Sequence, residues 1–482
     1  MRGWDARARI HAGLVGLNAL ALGALEDGWV RAGAWGLAAL GGGLILRSLR
    51  SLASKPPLFI SGIPRAKGQV YFGRGYEWTV EESQEVLDSG VPGPRAEGDL
   101  RLPDRVLDQH VLIVGSTGVG KTRLMELLAL QAVARGDAVV VIDPKGDEGL
   151  RRRVAEAAGP RFRLFSLPHP ERSVRYNPVG RYRDVREVAD RVAALLPSSG
   201  DALPFRNFGW EIIHTAAREL HGKKPMTLQN LKRFALDRPV KPLADRPREH
   251  FLKMASALIP VLSKLSLDTL SPERGGLTWE EVDQRRQVVY FDLASLLGQE
   301  SASAVAKMTT LDLKAYVGSR YAYAKGNGTM WLFVDELGDV VTGDLVGLFN
   351  KSRGAGLRVV GCAQTLADLE AGLGSRAAAL QLLGNASTTV QFRALSEADA
   401  ELFSSMAGQR LIRSRSEAAS YEPALLGSGF KTVDDYRARF AETFDWRERP
   451  LVPAWLLGQL PVFHYYARSE GRVFRGRVPL LS

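Results

Sequence analysis

Short apolar runs alternate with amphipathic stretches through most of the chain, and this alternation predicts the order of its strands and helices. The runs are rich in β-branched residues, as in strands that are buried on both faces of a parallel sheet. They lie at residues 111–114, 138–142, 162–167, 288–291, 330–334, 357–363 and 388–392. Apolar residues at helical spacing, Leu124, Leu127 and Leu128, follow the first run. We therefore predict an α/β fold with a mostly parallel sheet and helices on both faces.

A different pattern occupies the middle of the chain, from residue 184 to residue 285. Apolar residues recur there at helical intervals, without a strand pattern. This indicates an all-α insertion domain, residues 184–285, which divides the α/β domain into a first part, residues 56–183, and a second part, residues 286–482. The end of the second part is less regular, and short strands are expected only near residues 461–466.

Residues 1–55 differ from the rest and predict a transmembrane helical hairpin, with helices at about residues 10–25 and 29–46. Positive charges flank the two apolar runs on the outside, and Glu26 and Asp27 lie between them, as expected when both ends are cytoplasmic. Each run makes roughly 23 Å of helix against a hydrocarbon core of about 30 Å, so flanking Trp and Arg side chains must complete the span. The alternatives are a cleaved signal peptide and a buried hairpin of a soluble protein.

Composition limits the possible partners and the compartment. The chain has 482 residues, of which 45% are hydrophobic and 24% charged, as in an ordinary globular protein of two or three domains. A net charge of +11 permits a polyanionic partner or an anionic membrane surface. The single cysteine, Cys362, excludes a disulfide framework, and its apolar neighbours indicate core packing. The seven histidines lack the spacing of metal ligands.

The most specific motif is a Gly-rich sequence after the first apolar run. Its backbone N–H groups and the start of the following helix are expected to face a polyphosphate. We predict ATP contacts from Gly115, Ser116, Thr117, Gly118, Val119, Gly120, Lys121 and Thr122. Lys121 is expected to reach the β- and γ-phosphates, and the Thr122 hydroxyl to ligate Mg²⁺. A chance Gly-rich turn is the alternative, but the strand before the motif and the helix after it favour the phosphate loop.

Polar residues at the ends of other predicted strands supply the remaining groups for phosphoryl transfer. Asp335 is predicted to hold Mg²⁺, and Glu336 to polarise the attacking water. Gln364 can sense the γ-phosphate through a hydrogen bond. Asp143 ends another buried strand, and because active groups gather at the carboxyl ends of such strands, it is predicted to contribute to nucleotide binding. A surface turn is the alternative for the acidic pair, and a plain strand-end role for Gln364.

Arg353 precedes the strand that ends at Gln364, and it is predicted to be an arginine finger on the nucleotide of a neighbouring subunit. Lys351 and Arg358 are competing candidates for this role. The remaining alternative is a solvated basic loop without a catalytic function.

An ordered set of motifs resembles the type IV coupling proteins, the TraD/TraG-like ATPases of bacterial conjugation. The motifs are Gly115–Thr122, Asp143–Asp147, Tyr176–Pro178, Phe333–Glu336 and Ala363–Thr365. Within that family the chain resembles the TraD branch of integrative conjugative elements, through Phe72–Trp78, Phe205–Trp210 and Gln364–Glu370. The resemblance covers nearly the whole chain.

The resemblance implies a membrane-anchored hexamer with a RecA-like core and a helical domain that meets the substrate. Such a motor would deliver single-stranded DNA, with its relaxase, to a type IV secretion channel at the bacterial inner membrane, with the ATPase domain in the cytoplasm. By motif match Lys121, Thr122, Asp335, Glu336, Arg353 and Gln364 carry the nucleotide roles. Two departures are expected: a very short periplasmic segment, near residues 26–31, and a short C-terminal tail.

Two other functions remain open. One is a secretion-system assembly ATPase of the same superfamily that moves no DNA, and the other is a nucleotide-binding adaptor that does not hydrolyse ATP. Glu336 argues against the adaptor, and the N-terminal hairpin argues against a soluble or peripheral assembly ATPase.

Overall fold

The computed structural model describes residues 59–64, 66–197, 200–323, 328–423 and 436–481. The predicted hairpin at residues 1–55 lies outside these ranges. Within them, no helix combines the length and apolar character needed to cross a membrane.

A large mixed sheet forms the centre of the described protein. The strands in chain order are β1 (Phe59–Ile60), β2 (Gln69–Trp78), β3 (Gly98–Pro103), β4 (Val111–Val114), β5 (Ala138–Asp143), β6 (Phe162–Ser166), β7 (Val288–Asp292), β8 (Met330–Val334), β9 (Leu357–Ala363), β10 (Thr388–Gln391), β11 (Gln409–Pro423), β12 (Tyr436–Pro450), β13 (His464–Ser469), β14 (Arg472–Arg477) and β15 (Leu480–Leu481). Eleven of them form one sheet in the order β3-β2-β14-β13-β10-β4-β9-β8-β5-β7-β6. The strands from β10 to β6 run parallel, and the four from β13 to β3 extend the sheet in antiparallel pairs.

Helices cover both faces of the parallel part. They are α1 (Val80–Ser89), α2 (Lys121–Ala134), α3 (Glu148–Ala158), α4 (Val185–Ala193), α5 (Leu203–Leu220), α6 (Leu228–Lys232), α7 (Lys241–Ala244), α8 (Arg248–Ala255), α9 (Leu258–Leu265), α10 (Trp279–Gln284), α11 (Gln299–Tyr323), α12 (Leu337–Val340), α13 (Gly343–Lys351), α14 (Leu366–Leu373), α15 (Arg376–Asn385), α16 (Glu397–Ala407) and α17 (Ala454–Gly458). Two large clusters of buried apolar residues lie on opposite faces of the sheet, because successive residues of each strand point to opposite sides. The predicted α/β fold with a mostly parallel sheet is confirmed.

Between β6 and β7 the described chain contains helices and no strand. The apolar faces of these helices pack into the same cluster as one face of the sheet. A buried polar group lies at this junction: the Asp312 carboxylate of α11 accepts hydrogen bonds from the Tyr176 hydroxyl at 2.6 Å and the Trp279 indole at 2.7 Å. Arg191 of α4 pairs with the other carboxylate oxygen at 2.8 Å. Burial raises the pKa of Asp312 to about 6, and Arg191 opposes this shift. The junction gives the Tyr176–Pro178 motif a structural role.

The C-terminal part is more regular than its sequence predicts. β11 and β12 form a long two-stranded antiparallel ribbon, which pairs Gln409 with Pro450 at one end and Pro423 with Tyr436 at the other. The ribbon lies outside the large sheet. Among the described residues its strands pair with each other and not with the large sheet, so they need not carry the apolar runs that mark the central strands. The expectation of an irregular segment before residue 461 was therefore wrong.

Candidate active site

Three neighbouring strands bring the predicted site residues to one edge of the sheet. β9 lies between β4 and β8, and the three strands run parallel. The last residue of β4, Val114, pairs with the last residue of β9, Ala363. The phosphate loop, Gln364 and Asp335 therefore leave the sheet side by side, at the carboxyl ends of their strands.

The loop between β4 and α2 depends on glycine at two close approaches. Gly115 has a φ of 155°, and a Cβ atom there would lie 2.6 Å from the Cβ atom of Phe392. Gly120 has a φ of 113°, and a Cβ atom there would lie 2.8 Å from a ring carbon of Phe463. A larger residue at either position would move the loop away from its supporting aromatic rings, because L-residues rarely adopt these dihedrals.

Lys121 is the first residue of α2, and its side chain folds back over the loop. The ammonium group donates hydrogen bonds to the carbonyl oxygens of Gly115 at 2.6 Å and Ser116 at 2.9 Å. Burial lowers the pKa of Lys121, and the nearby Lys145 ammonium lowers it further, while Glu336 and Asp335 oppose the shift. A buried ammonium group held only by carbonyl oxygens suits an anionic ligand at this loop.

Thr122 and Asp335 lie in direct contact. The Thr122 hydroxyl donates to the Asp335 carboxylate at 3.1 Å, although the two residues are 213 positions apart in the sequence. Asp335 is fully buried, and burial raises its pKa, as do Glu336 and Asp143, against the opposing charge of Lys145. A hydroxyl beside a buried, incompletely neutralised carboxylate fits Mg²⁺, which binds one or two protein oxygens together with phosphates and water.

Glu336 has an unusual backbone conformation and a closely held side chain. Its φ of 50° and ψ of 62° are left-handed, which is strained for a residue other than glycine. The Gln364 amide donates to both carboxylate oxygens at 3.1 Å. The Gln364 carbonyl in turn accepts from the Thr117 hydroxyl at 3.1 Å, and the Lys145 ammonium forms an ion pair with Glu336. The acid is thus linked to the phosphate loop through Gln364.

Asp143 lies at the same edge, and its carboxylate holds the turn that follows β5. It accepts hydrogen bonds from the backbone N–H groups of Lys145, Gly146 and Asp147 at 2.6 to 3.0 Å. The Tyr290 hydroxyl of β7 adds a fourth bond at 2.5 Å. These donors all belong to the protein, so the observed role of Asp143 is to fix the turn, and its contact with nucleotide stays a prediction.

Arg353 begins a short 3₁₀ turn, residues Arg353–Ala355, just before β9. It therefore lies at the opposite edge of the sheet from the phosphate loop, where it cannot reach the nucleotide site of its own chain. The competing Arg358 is engaged within the chain: its guanidinium bonds to Asp108 at 2.8 Å and lies 5.1 Å from the Trp331 ring centroid. The assignment of Arg353 as an arginine finger stays a prediction.

Lys145 also belongs to the site, although it was not predicted from the sequence. The motif at residues 143–147 was noted, but only Asp143 was given a role. The available signal was a lysine two residues after a strand that ends at the edge expected to carry the active groups. Cys362, by contrast, is buried in the sheet, and its sulfur lies 3.8 Å from that of Met125.

The strand order, the phosphate loop and the acidic pair define a RecA-type P-loop NTPase. Two family models match the sequence: the type IV secretion-system coupling protein DNA-binding domain at residues 94–257, and the TraM recognition site of TraD and TraG at residues 329–462. The chain belongs to the type IV coupling proteins, as its motifs indicated. A comparison with curated protein sequences gives no match.

Solved structures confirm the fold at low sequence identity. The unbound bacterial conjugative coupling protein TrwBΔN70 is 17% identical, with a TM-score of 0.58 over 86% of this chain and 96% of that one. TrwB in complex with ADP and Mg²⁺ is 16% identical, with a TM-score of 0.61 over 87% and 97%. VirB4 of Thermoanaerobacter pseudethanolicus is 13% identical, with a TM-score of 0.52 over 87% and 98%.

Proposed function

We propose that this protein is a membrane-anchored hexameric ATPase that couples ATP hydrolysis to the transfer of single-stranded DNA, with its relaxase, into a type IV secretion channel. The observation that carries the catalytic part is the contact of Thr122 with Asp335, beside Glu336 and Gln364. A loop hydroxyl, a metal-binding acid, a water-activating acid and a γ-phosphate sensor thereby share one edge of the sheet.

Each group has a defined task in this proposal. The Lys121 ammonium binds the β- and γ-phosphates in place of its present carbonyl acceptors. Thr122 and Asp335 would hold Mg²⁺, which would supply positive charge that stabilises the phosphate oxygens. Glu336 accepts a proton from the attacking water. Gln364 orients the Glu336 carboxylate, and through its contact with Thr117 it links that carboxylate to the phosphate loop. The likeness of the fold to TrwB, which was solved with ADP and Mg²⁺, supports this choice of ligands.

The partners follow from the family rather than from the geometry. The matched domains are named for DNA binding and for recognition of TraM, which supports DNA and a relaxosome as substrates. The two apolar runs of residues 1–55, from which a hairpin is predicted, support an inner-membrane location with the ATPase domain in the cytoplasm. The position of Arg353, remote from the nucleotide of its own subunit, supports a ring in which each site is completed by its neighbour.

Hydrolysis by the purified full-length protein tests this function. We expect MgATP hydrolysis that rises on addition of single-stranded DNA. We expect Glu336→Gln to lower kcat by about 10²-fold to 10³-fold while ATP binding is retained, because only the water-activating group is lost. Arg376→Ala, at an exposed position, is the matched control and should hydrolyse ATP normally.

The alternatives predict different results. The second candidate is a secretion-system assembly ATPase that moves no DNA. Hydrolysis that ignores DNA would favour that candidate. Binding of ATP without hydrolysis would identify a nucleotide-binding adaptor, and a normal rate for Glu336→Gln would remove the catalytic assignment.

A further inference from the structure

Lys145 lies in the candidate active site, although the proposed reaction gives it no task. Its ammonium group forms an ion pair with Glu336, the residue proposed to activate water. Burial lowers its pKa, but Asp335 and Glu336 together outweigh burial and raise it, so the side chain is a cation. In this ion pair Lys145 binds the Glu336 carboxylate, which must accept a proton from water during hydrolysis.

The backbone of Lys145 is fixed, while its side chain is long. Asp143 binds the N–H groups of Lys145, Gly146 and Asp147, and Tyr290 secures Asp143 from the neighbouring strand. The turn therefore holds a flexible four-carbon chain at a constant distance from the phosphate loop. The side chain is partly exposed, which leaves room for its ammonium group to change partner.

Two ammonium groups lie at this edge of the sheet. Lys145 pairs with Glu336, and Gln364 links Glu336 to the phosphate loop, to whose Gly115 carbonyl Lys121 donates. Lys121 comes from the phosphate loop, whereas Lys145 comes from the turn after β5, on the far side of β8. A terminal phosphate bound beside Lys121 and Asp335 would come close to the Lys145 ammonium group, because Lys145 pairs with Glu336, the chain neighbour of Asp335.

We propose that Lys145 exchanges its partner when a nucleoside triphosphate binds, from the Glu336 carboxylate to the terminal phosphate. The exchange frees Glu336 for the attacking water only when a third phosphate is present. A nucleoside diphosphate offers no such partner, so Lys145 stays with Glu336. This inference rests on the proposed function, because it concerns the same nucleotide site.

Nucleotide binding by the full-length protein tests the exchange independently of hydrolysis. The probes are the β,γ-imido analogue of ATP and ADP, each with Mg²⁺. We expect Lys145→Met to weaken binding of the analogue about tenfold and to change binding of ADP less than twofold. Lys145→Arg keeps the charge and should stay within threefold for both nucleotides. Lys223→Met is the control, since that exposed lysine pairs with Glu219 on the helical insertion.

A double-mutant cycle with Glu336→Gln separates exchange from a static ion pair. Glu336→Gln removes repulsion between the acid and the phosphate whether or not Lys145 is present. If Lys145 must leave Glu336 on binding, the substitution also removes the energy of breaking the ion pair. We therefore expect Glu336→Gln to tighten binding of the analogue at least threefold more in the presence of Lys145 than in the Lys145→Met background.

The outcomes distinguish the two proposals. Equal tightening in both backgrounds, or an equal loss of both nucleotides in Lys145→Met, would overturn the exchange while leaving ATP hydrolysis intact. A wild-type protein that binds neither nucleotide would overturn the proposed function itself. Thermal unfolding of each variant checks that the fold is retained, and Lys145→Arg decides the case if Lys145→Met does not fold.

Discussion

At the carboxyl ends of β4 and β9 lie the phosphate loop and Gln364, and at the amino ends of the same strands lie His110 and Ser352. Both edges contain a non-glycine residue with a positive φ: Glu336 with a φ of 50° and a ψ of 62°, and His110 with a φ of 67° and a ψ of 160°. Strain of this kind costs of order 1 to 3 kcal/mol and persists only where surrounding contacts fix it. The two edges fix it in different ways.

At the amino edge, called the closed edge below, the residue with positive φ is buried and uncharged. His110 is fully buried, its Nδ1 accepts from the Val359 N–H at 3.1 Å, and its Nε2 lies 3.3 Å from the Ser352 hydroxyl. This pattern assigns the proton to Nε2, and burial lowers the pKa of His110 to about 4. The carboxyl edge, called the charged edge below, contains three charged groups: Lys121, Lys145 and Glu336. The closed edge is therefore suited to hold the turn of Arg353 in a fixed position. The charged edge is suited to bind and release charged ligands.

The largest effect on ATP hydrolysis is expected from a substitution at the closed edge that acts on the charged edge of a neighbouring subunit. If Arg353 is presented by the closed edge to the nucleotide of a neighbouring subunit, Arg353→Ala should lower hydrolysis about 10³-fold, as loss of an arginine finger does. ATP binding at low protein concentration should be unaffected, because the subunit's own site is intact. Steady-state hydrolysis and nucleotide titration measure the two quantities.

Mixing two inactive variants tests the same point more directly. Arg353→Ala and Glu336→Gln damage different subunits of one composite site, so an equimolar mixture should recover part of the wild-type rate. If Arg353 acted within its own subunit, every site in the mixture would lack either Arg353 or Glu336, and the mixture would stay inactive.

A smaller effect is expected at the charged edge from Asp335→Asn. Because burial already disfavours the Asp335 charge, an amide of the same shape should leave stability unchanged or slightly higher. Mg²⁺-dependent binding of ATP should weaken about 10-fold to 100-fold, since one metal ligand loses its charge. Asp445→Asn, at an exposed position on β12, is the control. A marked loss of stability without loss of Mg²⁺ dependence would make Asp335 a structural residue.

At the closed edge the expected effect is on stability and depends on pH. The native His110 stays neutral down to about pH 4, whereas in the unfolded chain it takes up a proton near its ordinary pKa of 6.5. The unfolded state therefore binds more protons between these values, and stability falls as the pH is lowered from about 6.5 to 4. The loss is at most about 3 kcal/mol from this residue.

His110→Asn isolates this contribution. Its side-chain oxygen can accept from the Val359 N–H, as the His110 ring nitrogen does. The variant should lose less stability than the wild type between pH 6.5 and pH 4, as measured by urea unfolding. His169→Asn, at an exposed position, should behave as the wild type does. Parallel pH curves for the wild type and His110→Asn would mean that the buried ring is not held neutral.

Some features of the two edges could be predicted from the sequence and others could not. β-branched runs located the central strands, and the Gly-rich motif located Lys121 and Thr122, because both signals are local. The place of β9 between β4 and β8 follows from long-range pairing, which leaves no trace in a single run of residues. His110 was counted among scattered histidines, since its bonds to Val359 and Ser352 exist only after folding. The partner of Lys145 was invisible for the same reason.

The smallest expected effect tests how firmly the turn of Lys145 is held. Tyr290→Phe removes one of the four donors to Asp143 and should cost about 1 kcal/mol of stability, the net value of one hydrogen bond. Three backbone N–H groups still hold the carboxylate, so hydrolysis should change less than threefold. Tyr465→Phe is the matched control, because that buried hydroxyl donates to the Phe72 carbonyl at 2.8 Å in the antiparallel part of the sheet. Hydrolysis lowered more than tenfold by Tyr290→Phe but not by Tyr465→Phe would contradict this expectation. The position of the Lys145 turn would then depend on Tyr290 of the neighbouring strand, and the three backbone hydrogen bonds to Asp143 would not be enough to hold it.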